Sequence, residues 1–287
     1  MLPGEFDYVR PRDLQEAVQA LARYGGESKV LAGGQSLIPL LKLRFAAPSV
    51  LIDINRVDGL EYARISNGTF AIGARTRQAA LAHDAGVHEH IPTVASASPQ
   101  VADPIVRNWG TLGGSLVHAD PAGDMGAVML ATRAELVALS VRGERVIPAR
   151  EFFLGPFTTA LEPDELLVEV RIPRAVGRPV GSYLKLERKV GDFATVAVAM
   201  SLDMDGGTVR QAGIGLTAVG AANLAATAAE DALTGSRLDE PTIREAARLA
   251  ADACDPRSDI RGSAEYKRDV VRVFVQRALQ RAARGDA

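Results

Sequence analysis

Cysteine is almost missing from this 287-residue sequence: Cys254 is the only one. A single thiol excludes a disulfide framework, a cysteine-ligated zinc centre and an iron–sulfur cluster held within the chain. It fits a reducing compartment. An excess of either charge is lacking too. Lys and Arg number 33 against 35 Asp and Glu, a formal net charge of −2, which excludes polybasic binding of nucleic acid or of an anionic membrane as the default. The longest apolar run, Ala194 to Leu202, ends at Asp203; a membrane-spanning helix needs about twenty such residues, so no integral membrane segment is expected. The opening MLPGEFDYVRPRD has neither a basic n-region nor an apolar h-region, so no secretory leader and a cytoplasmic location are expected. Internal repeats and low-complexity tracts are also absent. What remains, 47% apolar and 24% charged residues, is ordinary for a globular protein with a substantial core.

The apolar pattern alternates between helix and strand. Residues 6–9 read as a short strand. Leu14, Val18 and Leu21, with Ala17 and Ala22, recur at helical spacing until Gly25-Gly26 stops the helix. Residues 29–32 form an apolar strand ending at Gly33-Gly34, and residues 50–54 form a third. Between them Ser36 opens a helix in which Pro39 fits only the first turn. A second block begins with strands 60–65 and 69–74 around the hairpin signal Asn67-Gly68. Helical stretches 77–83 and 90–97 follow, then a glycine-rich passage 107–124, a helix 125–131, and strands 135–141 and 165–172. Residues 174–181, rich in Pro, Gly and Arg, read as a linker. Strands 182–187, 194–203 and 209–219 come next, the last two joined at Gly206-Gly207, and helices 224–233, 240–254 and 264–281 finish the chain. Strands followed by helices within each block predict an α+β architecture, divided at 1–56, 57–176 and 177–287.

Two glycine pairs carry the chemical signal. Leu31-Ala32-Gly33-Gly34-Gln35-Ser36-Leu37 runs from a strand into a helix, and Thr111-Leu112-Gly113-Gly114-Ser115 follows Trp109-Gly110. Glycine allows positive φ and close approach. Successive N–H groups at such turns make an anion cradle, and Ser36, Thr111 and Ser115 add hydroxyls. Two cradles would hold a pyrophosphate from both sides without Lys or Arg; the plain alternative is two tight turns. Standard nucleotide fingerprints do not compete. Gly213, Gly215 and Gly220 have the wrong spacing and sit in a predicted strand.

The other candidates each have two readings. His118 lies between Ser115 and Asp120, placed either to touch a ligand or to cap a turn. Asp120 and Asp124 either accept ribose hydroxyls or cap the helix from Met125. Lys185 and Phe193 flank a basic turn. From the residues alone Phe193 reads as a core residue at a strand start, with stacking on a planar ring as the alternative. His83, His88 and His90 lack metal-ligand spacing, so no metal site is expected. The motifs of serine hydrolases and zinc proteases are absent, and nucleophilic Ser or Cys catalysis has no support.

Ala32-Gly33-Gly34-Gln35-Ser36-Leu37-Ile38-Pro39 resembles the first FAD motif of the flavin-carrying medium subunit of molybdenum hydroxylases, the carbon monoxide dehydrogenase and xanthine dehydrogenase family. Ile105-Val106-Arg107-Asn108-Trp109-Gly110-Thr111-Leu112-Gly113-Gly114-Ser115 resembles the second. Asp120-Pro121-Ala122-Gly123-Asp124, residues 165–173, Lys185-Leu186-Glu187-Arg188-Lys189 and Asp259-Ile260-Arg261-Gly262-Ser263-Ala264-Glu265-Tyr266 continue the likeness in order. It covers essentially the whole chain.

The resemblance implies a two-lobed FAD-binding domain of the vanillyl-alcohol-oxidase (PCMH) type, followed by a three-stranded antiparallel sheet with a helix bundle. It implies FAD held without a covalent link, its pyrophosphate on the amides of Gly33 to Ser36 and Thr111 to Ser115. Asp124, Leu167 and Lys185 correspond to family FAD contacts, and Phe193 falls where relatives place an aromatic beside the isoalloxazine. The implied task is electron transfer from the iron–sulfur clusters of a partner to an external acceptor, with no catalytic residue on this chain. The implied partners are a large molybdenum subunit and a small subunit with [2Fe-2S] clusters, as a dimer of heterotrimers. Gln35 stands where some members carry His, and an amide still donates a hydrogen bond. One cysteine argues against the branch that inserts an iron–sulfur loop. The rivals are a self-sufficient flavin oxidase of the same fold and a scaffold subunit that has lost its flavin.

Overall fold

The computed structural model describes residues 2–285. Its first lobe is β1 (Asp7–Val9), α1 (Leu14–Tyr24), β2 (Ser28–Leu31), α2 (Leu37–Lys42) and β3 (Val50–Asp53). The strands are parallel in the order β1-β3-β2, with Val9 opposite Ile52 and Leu31 opposite Asp53. Asp13 caps α1 by accepting from the Glu16 N–H, and Gly25 ends it at φ +48°. Ala17, Val18 and Leu21 bury the inner stripe of α1 against Val50 and Ile52, and also against Val137, Leu166 and Val168 of the next lobe.

The second lobe contains β4 (Ala63–Ser66), β5 (Thr69–Gly73), α3 (Gln78–His83), α4 (Ala85–His90), α5 (Pro92–Ala97), α6 (Pro104–Trp109), α7 (Leu112–His118) and α8 (Asp124–Ala131). It continues with β6 (Glu135–Ser140), β7 (Gly143–Pro148), α9 (Ala149–Phe152), β8 (Phe153–Gly155), β9 (Thr158–Thr159) and β10 (Leu166–Pro173). Its main sheet is antiparallel in the order β4-β5-β10-β6-β7. Every residue of α8 is buried, which explains why that helix has no polar face.

The third part is β11 (Arg178–Leu186), β12 (Val196–Asp205), β13 (Thr208–Thr217), β14 (Leu224–Ala225), α10 (Thr227–Leu233), α11 (Glu240–Asp252) and α12 (Ala264–Arg284). Three antiparallel strands form the sheet, as expected, and the two-residue β14 extends it beside β13. One face packs on the helices behind it; the other reaches into the second lobe, where Tyr183, Ala197 and Ala199 join the core around α5 and α8.

Several local expectations change. The glycine-rich passage 107–124, for which no element was assigned, holds the second half of α6 and all of α7. Asp103 caps α6 with Pro104 in its first turn, and Thr111 caps α7. The stretch 90–97 splits, since Pro92 starts a new helix. The linker shrinks to 174–177: β11 begins at Arg178, and as an edge strand it tolerates Pro179. Residues 224 and 225 are strand rather than helix. Gly213 and Gly215 turn out to be packing residues. A Cβ on either would strike the backbone carbonyl of Ala131 or Ala127, so α8 lies flat on β13.

Candidate functional site

From β2 the chain turns through residues 32–36 into α2. Gly34 takes φ +75° there. Gly33 is pressed against the backbone of the second motif: a Cβ would strike the Trp109 carbonyl oxygen and come within 2.9 Å of the Gly110 Cα. The two glycine motifs therefore touch through bare backbone. Four of the five carbonyls of the loop are engaged. Ala32 O accepts from Asn55 Nδ2 at 2.6 Å, Gly33 O from Gln35 Nε2 at 3.2 Å, Gly34 O from Ile38 N at 3.0 Å and Ser36 O from Leu40 N at 3.3 Å. The N–H groups of Gly33, Gly34, Gln35, Ser36 and Leu37 have no acceptor among the described residues. Ser36 is exposed and the other four residues are partly exposed, so these are free donors open to solvent, and five in succession on a turn that enters a helix make a candidate seat for an anion.

The second pair is built differently. Leu112 N donates to Thr76 O at 2.9 Å, Gly113 N to Ala74 O at 2.7 Å, Gly114 N to Thr111 Oγ1 at 3.0 Å and Ser115 N to Thr111 O at 3.1 Å. Only the Thr111 N–H is left without a protein acceptor in that motif. Gly113 is there for contact, since a Cβ would lie 2.7 Å from the Cβ of Ala74. A second amide cradle over Thr111 to Ser115 is thus replaced by a capped helix start. The groups of that start with no protein acceptor among the described residues are the half-buried Ser115 hydroxyl and the N–H of the buried Thr111.

A buried ionic cluster lies deeper. Asp124, 8% exposed, opens α8. Tyr183 Oη donates to its Oδ1 at 2.6 Å, and Lys185 Nζ lies 3.1 Å from Oδ1 and 3.3 Å from Oδ2. The Lys185 ammonium also donates to Gln100 O at 3.0 Å and lies 3.4 Å from Glu187 Oε2. Burial pushes the Asp124 carboxyl up, and the Lys185 charge and the Tyr183 hydroxyl pull it back. Burial, then the Asp124 charge, holds the Tyr183 phenol well above its usual range. Asp124 and Lys185 were legible as candidates; Tyr183 and Gln100 were not. The available signal was the alternation of Tyr183, Lys185 and Glu187 along one strand face.

The remaining candidates are dispersed. Asp120 Oδ1 accepts from Ala122 N at 2.9 Å, closing its own turn. The His118 ring packs 5.2 Å from that of Phe157, and burial lowers its pKa, which keeps the imidazole neutral. Leu167 is buried in β10 beside a bulge. Phe193 is 54% exposed and not a core residue, contrary to the reading from the residues alone.

The turn before Phe193 is tethered. Arg261 donates to Phe193 O at 2.9 Å and to Asp192 Oδ1 at 3.1 Å, and Gly191, at φ +85°, lies close enough to Ala102, just before α6, that an added Cβ would come within 3.3 Å of its backbone. Arg261 is the first cause holding the Asp192 carboxyl down at about 2. The carboxylate's contribution is therefore complete above the ordinary carboxylate range and is lost only as pH falls through about 2. Arg261→Ala is expected to release this turn and to speed tryptic cleavage after Arg188 or Lys189 by about tenfold, read by limited proteolysis and mass spectrometry. An unchanged cleavage rate would mean that the turn is held by other contacts.

Known proteins share both segments of this architecture. Residues 4–175 match the family described as "FAD binding domain in molybdopterin dehydrogenase", and residues 181–282 match "CO dehydrogenase flavoprotein C-terminal domain". The chain is 40% identical to the carbon monoxide dehydrogenase medium chain of Afipia carboxidovorans, over 98% of each chain. It is 38% identical to the 6-hydroxypseudooxynicotine dehydrogenase complex subunit alpha of Paenarthrobacter nicotinovorans, over 98% of this chain and 96% of the other. Its fold superimposes on a chain of carbon monoxide dehydrogenase from Hydrogenophaga pseudoflava, solved without the Mo-pyranopterin moiety, with a TM-score of 0.94, 42% identity and full coverage of both chains.

Proposed function

Because the chain belongs to the family of FAD-binding medium subunits of molybdenum hydroxylases, we propose that it is the electron-transferring flavin subunit of its complex, set between the iron–sulfur clusters of a small partner and an external acceptor. It carries an FAD-binding domain and is an oxidoreductase subunit. The molybdenum and [2Fe-2S] cofactors belong to partner subunits, consistent with a chain whose one thiol, Cys254, is buried and raised to about 12 by that burial. We assign a large molybdenum subunit and a small iron–sulfur subunit as partners in a dimer of heterotrimers, and a cytoplasmic location. Among the described residues no helix is long and apolar enough to cross a membrane.

The observation that carries this reading is the run of open amides from Gly33 to Leu37. A diphosphate needs several donors on a concave backbone, and the missing Cβ at Gly33 lets that backbone close on Trp109. FAD, when bound, supplies a carrier that accepts electron pairs and exchanges single electrons. The chain's own residues bind and orient it. The amides from Gly33 to Leu37, with Ala32 fixing their start and the Gln35 side chain bracing Gly33 O, hold the diphosphate. The Thr111 amide and the Ser115 hydroxyl face it from the second motif, where Leu112, Gly113 and Gly114 set the helix that presents them. Asp124 and Lys185 would offer the cofactor a neutralised ion pair, the exposed Phe193 ring would be free to stack on the flavin, and His118, Asp120 and Leu167 are the further residues assigned to its binding. The reading divides the chain at 1–56, 57–176 and 177–287, the first two parts enclosing the flavin.

Acid release of the pigment from purified protein tests this. About one intact FAD per chain is expected, identified by mass, with the visible spectrum restored on adding FAD to the stripped protein. A folded chain, alone and within its co-purified complex, that holds no flavin would overturn the reading in favour of a scaffold. Reduction of the bound flavin by a small organic substrate with no partner present would instead favour the oxidase.

A further inference from the structure

Asn55 and Arg77 lie outside the residues assigned to the cofactor, yet they bind the two glycine motifs to each other. Asn55 follows β3. Its Nδ2 donates to Ala32 O at 2.6 Å and to Asp53 Oδ1 at 2.8 Å, and its backbone N–H also donates to Asp53 Oδ1 at 2.8 Å. This leaves the Asn55 side chain one orientation, with Oδ1 turned to the second lobe. There it accepts from Arg77 Nη2 at 3.1 Å, while Asn55 O accepts from Arg75 Nη1 at 2.8 Å. The other prong of the Arg77 fork, Nη1, donates to Trp109 O, and its guanidinium carbon lies 5.7 Å from the centre of the Trp109 ring. Trp109 O is the atom against which Gly33 packs. The contacts close a ring: Ala32, Asn55, Arg77, Trp109 and back to Gly33.

Planarity gives that ring a function. The Ala32 carbonyl and the Gly33 N–H belong to one rigid peptide unit and point in opposite directions. A donor fixed on Ala32 O therefore aims the first open amide of the seat. The Arg77 fork sets how far Trp109 O stands from it, and a planar guanidinium spans two acceptors in a way a single ammonium does not. Resting on the reading of Gly33 to Leu37 as the FAD diphosphate seat, we propose that Asn55 and Arg77 are positioning residues: a two-lobe clamp that fixes the aim of the amides and so sets FAD affinity.

The test uses the full-length chain, stripped of flavin and titrated with FAD, alongside Asn55→Ala, Asn55→Asp, Arg77→Gln, Arg77→Lys and the double variant Asn55→Ala/Arg77→Gln. Each single variant is expected to raise the FAD dissociation constant by about tenfold or more. Asn55→Asp keeps the acceptor for Arg77 but loses the donor to Ala32 O, so it should lose as much as Asn55→Ala. Arg77→Lys keeps the charge and should not rescue. Because both residues act through one ring of contacts, the double variant should bind no more weakly than the poorer single. Melting temperatures of the flavin-free proteins separate this from general damage and should stay within about 3 °C of wild type, since the groups removed are partly exposed. Wild-type affinity in Asn55→Asp or Arg77→Lys, or losses that simply add in the double variant, would overturn the clamp. Failure of the unmodified chain to bind FAD would instead overturn the seat on which the clamp rests.

Discussion

Gly33→Val is expected to leave the protein nearly free of flavin. The new Cβ meets the Trp109 carbonyl oxygen and, at 2.9 Å, the Gly110 Cα. Both are backbone atoms, so no side chain can swing aside. Relief requires the two glycine motifs to separate, which moves the open amides of the first motif away from the second. A flavin-to-protein ratio below about one tenth after desalting is expected, with a dissociation constant raised about 100-fold or more, equivalent to about 2.7 kcal/mol. Gly26→Ala is the matched control: it alters another Gly-Gly pair, where an added Cβ meets nothing within 4 Å, and it should change neither quantity. If Gly33→Val kept a full complement of FAD, the diphosphate would have to sit elsewhere.

Lys185→Met is expected to give the largest loss of stability. It removes the ammonium within 3.1 Å of Asp124 while leaving that carboxylate buried, with Tyr183 as its remaining side-chain donor. Breaking a buried pair from one side costs about 3–5 kcal/mol, which for a chain of this size lowers the melting temperature by roughly 6–15 °C. Adding Asp124→Asn should recover much of the loss, because the neutral amide still accepts from Tyr183 and the most deeply buried carboxylate is gone, leaving only the more exposed Glu187 without its ammonium. The pH dependence has a definite sign. Burial raises the folded-state pKa of Asp124, and loss of Lys185 raises it further. The folded protein then holds a proton that the unfolded chain has released. The deficit of Lys185→Met should be full above the folded-state pKa and shrink as pH falls toward the ordinary carboxylate range. Scanning calorimetry from about pH 8 to pH 5 checks it. A deficit that deepened on acidification would mean that Asp124 is not the group left uncompensated.

Features written in short stretches of chain were the ones the sequence made legible. The order of strands and helices in the first lobe follows from apolar spacing and from Gly25, and the first glycine motif declares itself because strand, turn and helix are contiguous. The helix in the second motif went unread for a tertiary reason. Glycine disfavours a helix on propensity, and only contact with Ala74 reveals why Gly113 belongs in α7. Phe193 looked apolar and therefore internal, but Arg261, 68 residues away, holds its turn outward. Tyr183 pairs with Asp124 across 59 residues and Arg77 with Trp109 across 32. No periodicity encodes such partnerships, so the side chains that brace the candidate site from afar were hidden while its contiguous glycine motifs were visible.

The flush contact of α8 with Gly213 and Gly215 bears on how such subunits diverge. The matched family segments end at 175 and resume at 181, a natural junction for recombination by sequence. The molecule does not come apart there. Thr217 Oγ1 lies within hydrogen-bond distance of the Pro121 and Gly123 carbonyls, its one proton shared between them, and Asn223 Nδ2 donates to Gly123 O, at the turn that launches α8 and Asp124. The carboxylate of one segment is thus aimed by the strand of the other. A chimera joining residues 4–175 of one relative to 181–282 of another is expected to have a working seam only if both parents carry the same bare strand opposite the same helix, so α8 and β13 have to be exchanged together although they lie on opposite sides of the boundary between segments.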